Sequence, residues 1–233
     1  MTGALVAFCG LMGLLIGSFL NVVIWRVPRK ESVVRPPSHC PQCETPIRPV
    51  DNVPVLSWLL LRGKCRHCGN PIPVRYPLVE AGCGVLFAVV AARFGSSWAL
   101  PAYLVLAAAL LAISIIDLEH FIVPDRITAP LTVSALALLG LAAVADGNGW
   151  RYGRTVLGGL AFSLGLFLGW LGWGQVFLGG FLSFLLGAVV GVALIATKVK
   201  TRKDHVPFGP FLAAGTMIVV LWGAPILRWY SGS

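Results

Sequence analysis

Two sets of residues in this chain could do chemistry. The first lies in Ile113 to Thr128, ISIIDLEHFIVPDRIT, where a long apolar run ends in Asp117, Glu119, His120 and Asp125. A carboxylate in a hydrophobic span costs about 2.5–3.5 kcal/mol at the helix centre and less near the interface, so an acid there calls for a function. The competing reading is the ordinary polar edge of a membrane helix in the headgroup layer. Pro124 is expected to break the helix before a second apolar run begins, which makes the stretch a tight turn with several acids at its lip. The second set is Cys40-Pro-Gln-Cys43 and Cys65-Arg-His-Cys68, two C-x-x-C knuckles separated by twenty-one residues. This is the ligand pattern of a structural zinc site, four thiolates presented in pairs by tight turns. Four sulfurs close the shell and leave His67 a bystander. Cys9 and Cys83 lie in apolar runs and read as packing residues.

The elements that must position these groups are membrane helices. With 57% hydrophobic and 12% charged residues, the composition is that of an all-α, polytopic membrane protein. Ala4 to Trp25 is long enough to cross a bilayer, which takes about 20 residues, and its positive charge follows it. Further runs are Leu78 to Ala92, Trp98 to Ile116, Ile127 to Ala145, Val156 to Trp173, Gln175 to Thr197 and Phe208 to Leu227, about seven spans in all. The division expected is a first membrane helix over 1–25, a polar zinc-knuckle loop with four cysteines over 26–77 and a helical membrane domain over 78–233. Of the net charge of +9, nine of eighteen Lys and Arg lie between Arg26 and Arg75, and four more between Lys198 and Lys203. Basic loops stay in the cytoplasm, so the cysteine loop faces a reducing compartment, which favours zinc over disulfides. Nucleic acid is disfavoured as a partner, because the charges flank spans without the aromatic residues that stack bases. Asn21, polar within the first span, can hydrogen-bond a neighbouring helix. Glu80 is expected to cap its helix or face Arg75. Asp146 reads as a solvated loop residue, Asp204 as a solvated or capping one.

Ile116-Asp117-x-Glu119-His120 followed by Pro124-Asp125 resembles the first aspartate motif of the prepilin leader peptidases, membrane aspartic proteases that cut the leader from type IV pilin-like precursors. Gly17-Ser18-Phe19-Leu20-Asn21-Val22 and Pro207-Phe208-Gly209-Pro210-Phe211 resemble segments of the same family. The resemblance implies an aspartic endopeptidase of the bacterial cytoplasmic (inner) membrane, with type IV prepilin or pseudopilin precursors as partners and Asp117 as a catalytic residue. Bifunctional members also N-methylate the new N-terminus with S-adenosylmethionine and carry a Cys-rich loop like this one.

One part of the family pattern is absent, the G-x-G-D segment that carries the second aspartate. Val156-Leu-Gly-Gly-Leu160 resembles the start of one helix of that region and Leu166 to Trp173 the end of the next, so the missing segment belongs near Ala161 to Gly165. Counting crossings points the same way, since the six spans before it, counted from an external N-terminus, put Lys198 to Lys203 outside, against the rule for basic loops. Aspartic proteolysis uses two carboxylates sharing a proton, one activating water while the other protonates the carbonyl oxygen. Asp117 cannot do both. Asp125 is the nearest substitute, about 12 Å along the axis if the helix continues. The alternative function is that of a catalytically dead pseudoprotease, a prepilin-binding factor in pilus or secretion assembly.

Overall fold

The structure, a computed structural model, describes residues 2–161, 165–199 and 206–231. It is helical throughout, with α1 Thr2–Arg26, α2 Leu56–Leu60, α3 Arg75–Phe94, α4 Leu100–His120, α5 Asp125–Ala145, α6 Gly149–Ala161, α7 Gly165–Leu171, α8 Trp173–Ala196 and α9 Gly209–Ser231. Among the described residues the only extended pairing is two isolated bridges, both in the cysteine loop. The chain divides into two compact units, Met1–Ser96 and Ser97–Ser233.

In the first unit α1 lies along α3, and its small residues set how close the two helices come. A Cβ on Gly13 would stand 2.7 Å from the Cys83 carbonyl oxygen, and one on Gly17 would stand 2.7 Å from the Glu80 Cα. Such contact lets two apolar helices hold together by van der Waals packing in a medium that gives no hydrophobic drive. Asn21 Nδ2 donates to the Tyr76 carbonyl of α3 at 3.1 Å, the cross-helix bond expected of it. Cys9 and Cys83 are both buried, as packing residues should be.

In the second unit α4 is central, with Tyr103, Leu106 and Ile116 fully buried, and α5, α7 and α9 pack against it. What ends α4 is not Pro124. Phe121 adopts the left-handed conformation (φ 55°) and its N–H closes on the Asp117 carbonyl at 2.9 Å. Pro124 instead sits extended before α5, and its carbonyl accepts from Ile127 and Thr128 to start that helix.

Six described helices are long and apolar enough to cross a membrane, α1, α3, α4, α5, α8 and α9. The run Val156 to Trp173 is not a seventh straight span. The Arg151 guanidinium stands 5.9 Å from the Trp170 ring, whereas a continuous helix would hold those residues about 28 Å apart. So α6 and α7 double back on each other as a hairpin. Tyr103 pins it to α4, its hydroxyl donating to the Phe167 carbonyl at 2.8 Å. The hairpin removes one crossing, and the contact of α9 with Asp117 described below places the start of α9 at the Asp117 end of this unit. The conflict expected for the basic Lys198 loop therefore does not arise, and the crossing count no longer argues for a missing segment. Residues 162–164 of the expected gap, and Asp204, lie outside the described residues.

Candidate active site and metal centre

The four loop cysteines come together. The Sγ atoms of Cys40, Cys43, Cys65 and Cys68 all lie within 4.8 Å of one another, and those of Cys40 and Cys68 are 3.8 Å apart. Four thiolates about 2.3 Å from a tetrahedral zinc stand about 3.8 Å from one another, so the cluster fits that ion. His67 is exposed and outside the quartet.

The local build is a repeat that the spacing of the cysteines alone did not reveal. Cys40-x-x-Cys43-x-x-Pro46-Ile47 recurs twenty-five residues later as Cys65-x-x-Cys68-x-x-Pro71-Ile72. The backbone repeats with it. Cys40 N–H donates to the Thr45 carbonyl and Cys65 N–H to that of Asn70; Glu44 N–H donates to the Cys40 carbonyl and Gly69 N–H to that of Cys65. Glu44 and Gly69 hold the matching left-handed position, at φ 56° and 72°. Arg66 forks onto Asp51, with Nε 2.9 Å from Oδ2, and holds that carboxyl below its ordinary range.

The thiols differ in acidity. Hydrogen bonds from Thr45 hold Cys43 down at about 6, and those from the backbone of Cys68 and His67 lower Cys65. At Cys68 the lowering hydrogen bond from the Asn70 backbone is outweighed by burial and the neighbouring sulfurs, which push it up to about 11. A metal binding here would draw off the protons that remain.

Above the knuckles, Glu80 does not cap its own helix. Its Oε2 accepts from the Val55 N–H at 2.7 Å. Val55 precedes α2 at φ 61°, a conformation that a β-branched residue rarely adopts. The carboxylate of a membrane helix thus holds a strained loop residue in place.

In the second unit Asp117 closes α4 with its side chain 6% exposed, and its Oδ2 accepts from the Gly209 N–H at 2.6 Å. Gly209 opens α9 and is the middle residue of Pro207-Phe208-Gly209-Pro210-Phe211. A Cβ there would stand 2.7 Å from Oδ2, so the close approach requires glycine. The N-terminal N–H groups of a helix have no partner within the helix, and this one is satisfied by the Asp117 side chain. The other lip residues do not join it. Glu119 and Asp125 are exposed, and His120 Nε2 lies 4.0 Å from Glu119 Oε2. Asp125 is the first residue of α5, beyond the turn, so the axial distance expected for a continuous helix does not apply. Asp146 caps the far end of α5 in solvent, as expected. Asp117 is the buried acid among the described residues of this unit.

Residues 11–94 match the family model of the bacterial peptidase A24 N-terminal domain, and residues 104–222 that of the type IV leader peptidase family. A prepilin leader peptidase/N-methyltransferase from Aeromonas hydrophila is 37% identical over 265 aligned positions, which cover 94% of this chain and 91% of the relative. One from Stutzerimonas stutzeri is 36% identical with the same coverage, and one from Myxococcus xanthus 43% identical over 81% of this chain and 62% of the relative. No solved structure matches.

Proposed function

Since this chain belongs to the type IV leader peptidase family, we propose that it acts on type IV prepilin-like precursors as an aspartic endopeptidase at the cytoplasmic face of the bacterial inner membrane. The observation that carries the reading is the buried Asp117 carboxylate at the inner end of α4, tied by one oxygen to the start of α9. With Oδ2 held, Oδ1 is the oxygen left to orient a water against a scissile carbonyl. The second acid would protonate the carbonyl oxygen. Cys40, Cys43, Cys65 and Cys68 would hold a zinc ion whose role is to fold the loop, since four sulfurs leave no position for a reactant. N-methyl transfer is carried over from the relatives' names, and S-adenosylmethionine as donor and the new N-terminus as acceptor are what the family resemblance implies.

The second reading is a pseudoprotease that binds prepilins without cutting them. Two observations favour it. The Aeromonas hydrophila alignment has 265 positions against 233 residues here, so at least 32 positions have no residue in this chain. The hairpin is pinned to α4 at Tyr103, fourteen residues and about 21 Å from Asp117 along the helix. Loss of one member of a concerted acid–base pair costs at least the 10²–10⁴-fold that such catalysis typically supplies.

The test is processing of a co-expressed prepilin by this chain, by the chain with a G-x-G-D segment inserted between Ala161 and Gly165, and by the insertion with Asp117→Asn. The pseudoprotease reading expects processing by the second form only. Processing by the unmodified chain that disappears in its own Asp117→Asn variant establishes the endopeptidase and makes Asp125 the partner to examine.

A further inference from the structure

Arg26 is the last residue of α1, 7% exposed, and forms the floor of a cavity of about 290 Å³ that lies wholly within the first unit. One wall is α1, where Leu15, Phe19 and Val22 follow one another on a single helical stripe. Leu15 and Phe19 are 63% and 50% exposed within a candidate span, so that stripe faces hydrocarbon. The rest of the lining comes from the loop that follows the helix, with Val34 and the prolines Pro36 and Pro37 beside the polar Ser38 and Asn52. The cavity is thus bordered along one helix face by side chains exposed within a candidate span, and at the end of that helix by a guanidinium.

We propose that this cavity binds an anionic phospholipid, with Arg26 taking the phosphate and the first part of an acyl chain lying along Val22, Phe19 and Leu15. Three observations carry the assignment. The guanidinium has five donors in a planar fork suited to phosphate, and the Ser32 carbonyl takes only one, from Nη1 at 3.0 Å. No carboxylate lines the cavity. The segment after α1 adds attraction for a negative headgroup, since it carries Arg29, 3.6 Å over the Trp25 ring, and the exposed Lys30 and Arg35 against one exposed acid, Glu31. A neutral lipid would leave the buried charge without a counter-ion, and a soluble phosphate would leave the apolar stripe unused. The site is independent of the peptidase reading, since it uses no residue of the acid site.

The experiment is native mass spectrometry of the purified full chain titrated with phosphatidylglycerol or phosphatidylcholine. The expected result is one tightly held phosphatidylglycerol, preferred over phosphatidylcholine by at least tenfold, and a preference reduced to about one in Arg26→Gln but retained in Arg29→Gln. Because Arg26 also holds Ser32, Val22→Trp serves as a second variant that fills the cavity and keeps the charge, and it should lose the bound lipid as well. Equal binding of the two lipids, retention by both cavity variants, or displacement by millimolar glycerol 3-phosphate would overturn the assignment, the last by showing that phosphate alone is read.

Discussion

The cysteine quartet, which lies in a loop and leaves Cys68 exposed, and the buried Asp117 near the end of α4 are assembled in opposite ways. Each knuckle is made by eight consecutive residues whose backbone bonds close on themselves, and the two halves stand twenty-five residues apart. Asp117 meets its partner across ninety-two residues, and the meeting depends on where α4 stops, where α9 starts and the absence of one Cβ. A site of the first kind is as stable as its turns and its metal. One of the second kind is as precise as the helix packing around it, and it can be lost without any change to its own side chains.

The difference can be broken most severely at the metal. Cys65→Ser with Cys68→Ser removes two thiolates from a shell whose zinc supplies about 10–16 kcal/mol in comparable peptides. The knuckles should unfold while the spans remain inserted, read as protease sensitivity of the loop in membrane vesicles. The unmodified chain should carry one zinc per molecule, and metal analysis giving under half an equivalent would remove this side of the comparison. Next in size is Gly209→Ala, which overpacks the joint between α4 and α9 by about 1–3 kcal/mol. Thermal melting of the detergent-solubilised protein should fall while zinc content stays at one equivalent, and an unchanged melting point would mean the joint relaxes freely. Smallest is Glu80→Gln, which keeps an acceptor for the Val55 N–H but removes its charge. A hydrogen bond to a charged group is worth about 1.5–3 kcal/mol against about 1 for a neutral one. The variant should lose about 1 kcal/mol, seen as faster zinc release to a chelator, and an effect as large as that of the cysteine pair would place Glu80 among the loop's main supports.

Sequence reached furthest where the chemistry is local. Cys40, Cys43, Cys65 and Cys68 were readable because a C-x-x-C turn needs only its neighbours, and Asp117 because an acid at the end of an apolar run is costly wherever it packs. The packing roles of Asn21, Cys9 and Cys83 followed from the same reasoning. What escaped were features whose partners are distant. Nothing in Pro207 to Phe211 announces that its glycine will touch Asp117, and nothing around Glu80 points to Val55. The run from Val156 to Trp173 carries no charged residue, so length and hydropathy describe one span; the approach of Arg151 to Trp170 shows two helices. The twenty-five-residue repeat was visible in principle, because Pro-Ile follows each knuckle at the same offset.

That hairpin has a consequence for how the protein is made. As it emerges from the ribosome, the segment from Val156 to Trp173 offers the insertion machinery a stretch long enough to be taken for a crossing. The finished protein holds it as two short helices that turn back. If it is taken so, α8 reaches its final orientation, and α9 its contact with Asp117, only after the turn has been made. The cations that begin at Lys198 favour that outcome by resisting transfer across the bilayer, so a decision about one helix pair is enforced by charges that the ribosome adds only after the next helix is complete.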